Sequence, residues 1–142
     1  MSCMKGRSFF DTNILVYRDD SAALEKQQIS IDLMESCWRE GNAVISTQVL
    51  QEYFVAATRK LGVPVEVVRR KIELFAGLSV ASIEHEDVLH AINLHTTHGF
   101  SFWDSLIIRM AQKTACRILY SEDMQHGQKL GDLMIVNPFV VA

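Results

Sequence analysis

Five short apolar runs alternate along this chain with stretches whose apolar residues recur at helical spacing. The runs are Ser8–Phe10, Ala43–Ile45, Leu78–Ala81, Arg117–Tyr120 and Leu133–Val136, and the helical patterns fall at Ser21–Glu40, Thr47–Leu61, Val65–Ala76, Glu84–His98 and Phe102–Thr114. Each run has the length and apolarity of a strand buried on both faces. A strand that returns to the same sheet through a helix lies parallel to its predecessor, and a parallel sheet needs helices over both faces. The expected architecture is α/β: a three-layer α/β/α sandwich around a parallel, roughly five-stranded sheet. Residues 1–142 are read as a single domain, because the only prolines are Pro64 and Pro138 and no repeat or linker interrupts the pattern.

The crevice beyond the carboxyl ends of the strands is where such a sheet places its chemistry. The first run, in "SFFDTNILVYR", ends directly in Asp11. The fourth ends in "LYSEDMQHG", with Ser121, Glu122 and Asp123. The second leads into "STQVLQEYF", where Ser46 or Thr47 can cap a helix carrying Glu52 about one turn inside. In "FSFWDSLIIRM", Ser101 is a candidate cap and Asp104 stands three residues on. Four segments thus deliver a carboxylate to one neighbourhood.

Each acid also has an ordinary explanation. Asp11 suits a cap or turn after a strand. Ser101 and Asp104 approximate a capping box, and negative charge suits a first helical turn. At 100° per residue, however, Asp104 falls among Ile107, Ile108 and Ala111, away from the polar stripe of Ser105, Arg109, Gln112 and Lys113. A carboxylate on an apolar side needs a partner. The same projection puts Glu52 on the flank of its helix beside Ala56 and Arg59, as a solvated or weakly paired residue, and leaves Asp123 and Glu122 as alternatives. Acids that converge repel one another, and no lysine or arginine lies within three residues of any of them to neutralise them. A divalent cation supplies the missing charge, and oxygen-only ligands favour Mg²⁺ or Mn²⁺ over zinc.

Other chemistries find less support. Net charge is −3, without the broad basic footprint of a protein that grips nucleic acid by charge alone. The basic run Arg69–Lys71, with Arg59 and Lys60 upstream, reads first as a solvated helix face. Cys3, Cys37 and Cys116 are odd in number and widely spaced, suggesting neither a disulfide framework nor a zinc site; Cys37 and Cys116 read as small core residues. His85 and His90 are five apart and share no helix face, and His126 is a remote candidate for touching substrate. No glycine-rich phosphate loop or Gly-x-Ser-x-Gly elbow occurs. No stretch approaches the roughly 20 apolar residues that span a bilayer, and no leader pattern opens the chain, so a cytoplasmic location without membrane attachment is expected.

These residues resemble the PIN-domain ribonucleases, and most closely the VapC-like toxins of bacterial toxin–antitoxin pairs. The likeness covers nearly the whole chain through "FFDTNILVY", "STQVLQEYFVAATRKL", "FSFWDSLIIRMA" and "LYSEDMQHG", in that order. Carried across position by position, the family's metal-binding acids match Asp11, Glu52, Asp104 and Asp123. Asn13 and Ser121 match polar positions that support the site, and Thr12 lies between the first acid and Asn13. Many relatives carry Thr-x-Asp at the last motif; here Ser121 keeps the hydroxyl, while Glu122 adds a second acid that leaves the ligand set open. The resemblance implies Mg²⁺- or Mn²⁺-dependent cleavage of single-stranded or looped RNA, homodimerisation, and inhibition by an antitoxin protein whose segment occupies the acidic groove. Arg59, Lys60, Arg69 and Lys71, placed after the Glu52 helix, are candidates for holding the RNA backbone. A phosphatase of the haloacid-dehalogenase kind would want Asp-x-Asp where Asn13 stands, and a receiver-type phosphotransfer domain would want a lysine where Ser121–Asp123 stand. A catalytically silent PIN-like module binding RNA or protein is the remaining alternative.

Overall fold

A computed structural model describes residues 2–140. Its sheet runs β3 (Ser79–Ala81), β2 (Ala43–Ser46), β1 (Ser8–Phe10), β4 (Ile118–Tyr120), β6 (Leu133–Val136), β5 (Lys129–Leu130) from edge to edge. The first five are mutually parallel, with Phe9 opposite Val44 on one side and Leu119 on the other. The sheet has six strands rather than five. The extra one, β5, is a two-residue antiparallel edge strand against β6, too short to give a period in the sequence.

Among the described residues six helices cover the sheet: α1 (Thr12–Tyr17), α2 (Leu24–Arg39), α3 (Thr47–Arg59), α4 (Val65–Phe75), α5 (His85–His98) and α6 (Phe102–Lys113). The chain passes outward from β1 to β2 to β3, then returns across the sheet to β4. With right-handed crossovers, those opposite directions put α1–α4 on one face and the α5–α6 pair on the other. Helix α1 was not expected, since six residues including Ile14 and Val16 carry a weak helical signal. It forms because the Asp11 carboxylate accepts a hydrogen bond from the Thr12 N–H at 2.8 Å, while Ile14 and Leu15 enter the core.

The core joins both layers through fully buried Phe9, Phe10, Ile45, Tyr53, Leu119 and Ile135. Cys37 and Cys116 are buried, as expected, but Cys3 and Cys37 form a disulfide with Cα atoms 4.9 Å apart, which corrects the expectation of none. Their separation of 34 residues hid the pairing; β1 lying beside β2 brings the segment before β1 against the end of α2. On α6 the polar stripe is only partly solvated, because α5 packs against its first half. Ser105 is fully buried, and Arg109 and Lys113 reach the buried carboxylate of Asp87 at 3.0 and 2.8 Å. Gly99, with φ +77 in the left-handed region, ends α5 and lets the chain turn back into α6.

Candidate active site

The strand order reverses between β1 and β4, so a crevice opens where their carboxyl ends diverge. Asp11 leaves β1 there and Ser121 leaves β4. The Ser121 hydroxyl donates to Asp11 Oδ2 across the crevice at 2.8 Å, and the ladder continues with the Asp11 N–H on the Tyr120 carbonyl at 3.0 Å. Both side chains are buried.

The next two residues of α1 reach the other acids. The Thr12 hydroxyl donates to Glu52 Oε1 at 2.7 Å, and the Asn13 amide donates to Asp123 Oδ2 at 3.0 Å while its carbonyl accepts the Glu122 N–H at 3.2 Å. The Asp123 N–H donates to the Ser121 hydroxyl at 3.2 Å, which shapes the loop after β4. Glu52, left on a helix flank by its spacing, is half-buried because that flank faces α1. Asp104 is half-buried in the first turn of α6, its backbone N–H bonded to the Ser101 hydroxyl at 3.1 Å as a cap should be. Capping and clustering are therefore compatible at both Asp11 and Asp104.

Electrostatics tie the four acids together. Burial pushes the Asp11 carboxyl up to about 7, against the lowering pull of Ser121 and Thr12, and the negative fields of Asp104 and Glu52 add to the rise. Asp104 is raised by burial and by the charges of Asp123 and Glu52, with Ser101 opposing. Elsewhere several partly or fully buried acids have a cation: Asp87 has Arg109 and Lys113, Asp19 has Lys71, and Glu122 has Lys26. Among the described residues no salt bridge reaches Asp11, Glu52, Asp104 or Asp123.

That unbalanced, all-oxygen donor set suits a hard divalent cation. The acids do not form a ready-made cage: among the described residues no three His, Cys, Asp or Glu side chains are drawn together as metal ligands. Hydroxyl and amide donors hold Asp11, Glu52 and Asp123 in place. Glu122 turns aside, accepting from the Tyr17 hydroxyl at 2.6 Å and pairing with Lys26, which holds its carboxyl below the usual range despite partial burial.

A groove of about 890 Å³ runs from this rim along α3. Gln48, Gln51, Glu52, Val55, Ala56, Arg59 and Lys60 line it at helical spacing, facing Thr12, Asn13 and Val16 of α1. Of the basic candidates, Arg59 and Lys60 lie in this groove. Arg69 and Lys71 do not: Arg69 is 3.7 Å from Glu66, and Lys71 is occupied by Asp19. His126 also serves structure, its Nδ1 accepting the Asn137 N–H at 2.9 Å. Two groove residues escaped the sequence reading. Gln48 is buried, with its amide donating to the Trp103 carbonyl at 3.2 Å and to Glu52 Oε2 at 3.4 Å; Trp103 stands exposed beside Asp104. Only the meeting of α3 with α6 distinguishes Gln48 from a surface glutamine.

Three solved structures have the same fold. VapC20 of Mycobacterium tuberculosis, a toxin that cleaves the sarcin–ricin loop, is 19% identical with a TM-score of 0.66, over 82% of this chain and 89% of that one. A toxin–antitoxin complex from Klebsiella pneumoniae is 16% identical with a TM-score of 0.65, over 92% and 97%. VapBC2 from Rickettsia felis, bound to a DNA fragment from its promoter, is 18% identical with a TM-score of 0.63, over 90% and 96%. No curated protein sequence matches. The PIN domain family model matches residues 8–129, most of the 142-residue chain, and the protein belongs to the PIN-domain family.

Proposed function

We propose that this protein is an endoribonuclease and the toxin of a VapBC-like toxin–antitoxin pair, hydrolysing RNA phosphodiesters with Mg²⁺ or Mn²⁺ held by Asp11, Glu52, Asp104 and Asp123. The observation that carries this is the set of four neighbouring carboxylates without a basic partner, at the switch point of a PIN-family sheet. Bound there, the cation would polarise the scissile phosphate and lower the pKa of an attacking water. Asp11 holds the innermost position, oriented by Ser121 and the Thr12 N–H. Thr12 and Gln48 hold the two oxygens of Glu52, and Asn13 holds Asp123, so the directions of these ligands are set before substrate arrives. Arg59 and Lys60 offer the RNA backbone positive charge along the groove. Glu122, paired with Lys26, is a supporting residue that fixes the loop rather than a ligand.

An antitoxin partner is part of this proposal, supported by the similarity to structures described as toxin–antitoxin complexes. A homodimer and a cytoplasmic setting complete it, the first to be checked by sedimentation. Among the described residues no helix is long and apolar enough to cross a membrane. The open spacing of the acids favours one rival, a silent PIN-like module that binds RNA without cutting it. A nuclease assay on a mixed RNA pool separates the two: cleavage only with Mg²⁺ or Mn²⁺, abolished by Asp11→Asn with the fold intact, is the expected result. An unchanged pool with either metal, or full activity of Asp11→Asn, rejects the proposal.

A further inference from the structure

Trp103 is 62% exposed and lines the groove beside Glu52 and Asp123, a large aromatic ring that a ligand bound in the groove would cover. The ring is not a loose surface residue. Phe102 meets it edge to face with centroids 5.1 Å apart and planes at 77°, and the buried Gln48 amide pins its backbone carbonyl to α3. It lines the same groove as Glu52 and Asp123, at the end opposite Arg59 and Lys60. From Gln48 to Lys60, α3 extends about 18 Å at roughly 1.5 Å per residue, so the apolar face and the positive charge lie several nucleotides apart along one track.

We infer that Trp103 is a base-stacking platform that makes the enzyme select an unpaired nucleotide beside the scissile phosphate, an inference that rests on the ribonuclease proposal above. A strand whose phosphate reaches the acidic rim must put the attached base somewhere nearby, and the exposed indole lines the same groove as Glu52 and Asp123. Every base has a π face, so stacking demands no particular base; in a duplex both faces are covered by neighbouring pairs, so it does demand an unpaired one. A ring packed against Phe102, on a backbone anchored by Gln48, loses little freedom when a base lands on it.

The test uses an oligoribonucleotide with a mapped cleavage site and versions lacking the base on one or other side of that bond. Wild type is expected to lose about 5- to 100-fold in kcat/KM on one abasic substrate, chiefly through KM. Trp103→Ala should lose the same factor on the intact substrate and nothing further on the abasic one, while Trp103→Phe stays near wild type. Thermal midpoints check that each variant is folded. Trp103→Ala cutting intact RNA like wild type, or losses that multiply in the variant–abasic combination, would overturn the inference; so would a defect confined to binding another protein. Should wild type cut no RNA with either metal, the ribonuclease proposal fails, and Trp103 is judged by binding alone. Indole fluorescence quenched by a single-stranded oligonucleotide, but not in Trp103→Phe where only Trp38 remains, supports the platform, and no quenching rejects it.

Discussion

At Asp11 one carboxylate serves two ends: it caps α1 through the Thr12 N–H and sits innermost among the acids. Its stability consequence has an unusual sign for an acid. With the folded carboxyl pushed up to about 7 from an ordinary 3.8, the metal-free folded protein binds more protons than the unfolded chain between those values. Stability therefore falls as pH rises from about 4 to about 7, by up to about 4 kcal/mol at full ionisation. Asp11→Asn should flatten that part of the pH–stability curve and be more stable than wild type at pH 8 in chelator, as read by urea titration. Mn²⁺ should recover the wild type and do little for the variant. An identical pH profile in the two proteins would show that Asp11 is not the group under strain. The Asp-Thr-Asn motif was readable as three polar residues after a strand. That Asp11 and Asn13 reach the loop after β4 while Thr12 between them reaches α3 was not, because the direction of each side chain comes from the turn into α1.

Between elements, the α5–α6 pair shows how packing reassigns residues. Spacing alone makes Arg109 and Lys113 part of a polar stripe without saying what it faces; both converge on Asp87, which also accepts the Glu84 N–H at 2.8 Å and so caps α5. Burial would raise the Asp87 carboxyl, but Lys113, the Glu84 amide and Arg109 outweigh it and hold it at about 2. Its stabilisation is complete above about pH 4 and is lost as pH falls towards 2. Asp87→Asn should cost about 2 kcal/mol at pH 7, with the gap to wild type closing in acid, measured by chemical denaturation. A pH-independent gap would assign the loss to packing instead. Because α6 carries Asp104 and Trp103, this brace also steadies one wall of the groove. Glu52 illustrates the same limit: its helix was legible from Val49, Tyr53 and Ala57, but which partner faces its flank depended on where α1 docks.

For the molecule as a whole, the Cys3–Cys37 bridge closes a loop of 34 residues around β1, α1 and α2. Chain-entropy arguments give such a loop about 4 kcal/mol, so reduction should lower the melting midpoint by roughly 10 °C, and Cys3→Ala should match the reduced protein. No shift with reductant would show that the bridge does not constrain the unfolded chain. The bridge lies before β1, at the amino-terminal ends of the strands and away from the acids, so nuclease activity below the melting range should survive reduction. By itself, the amino-acid order determined the alternating elements, the parallel sheet and the end of it to which the acids belong, since periodicity and strand-to-helix connectivity are local properties of the chain. The tertiary structure alone decided that Glu52 faces α1, that Glu122 is neutralised by Lys26, that Lys71 serves Asp19, and that Gln48 and Trp103 belong to the groove. Each of those outcomes depends on which side chains of distant segments come within a few ångströms, a distance set by how whole layers pack and not by spacing along the sequence.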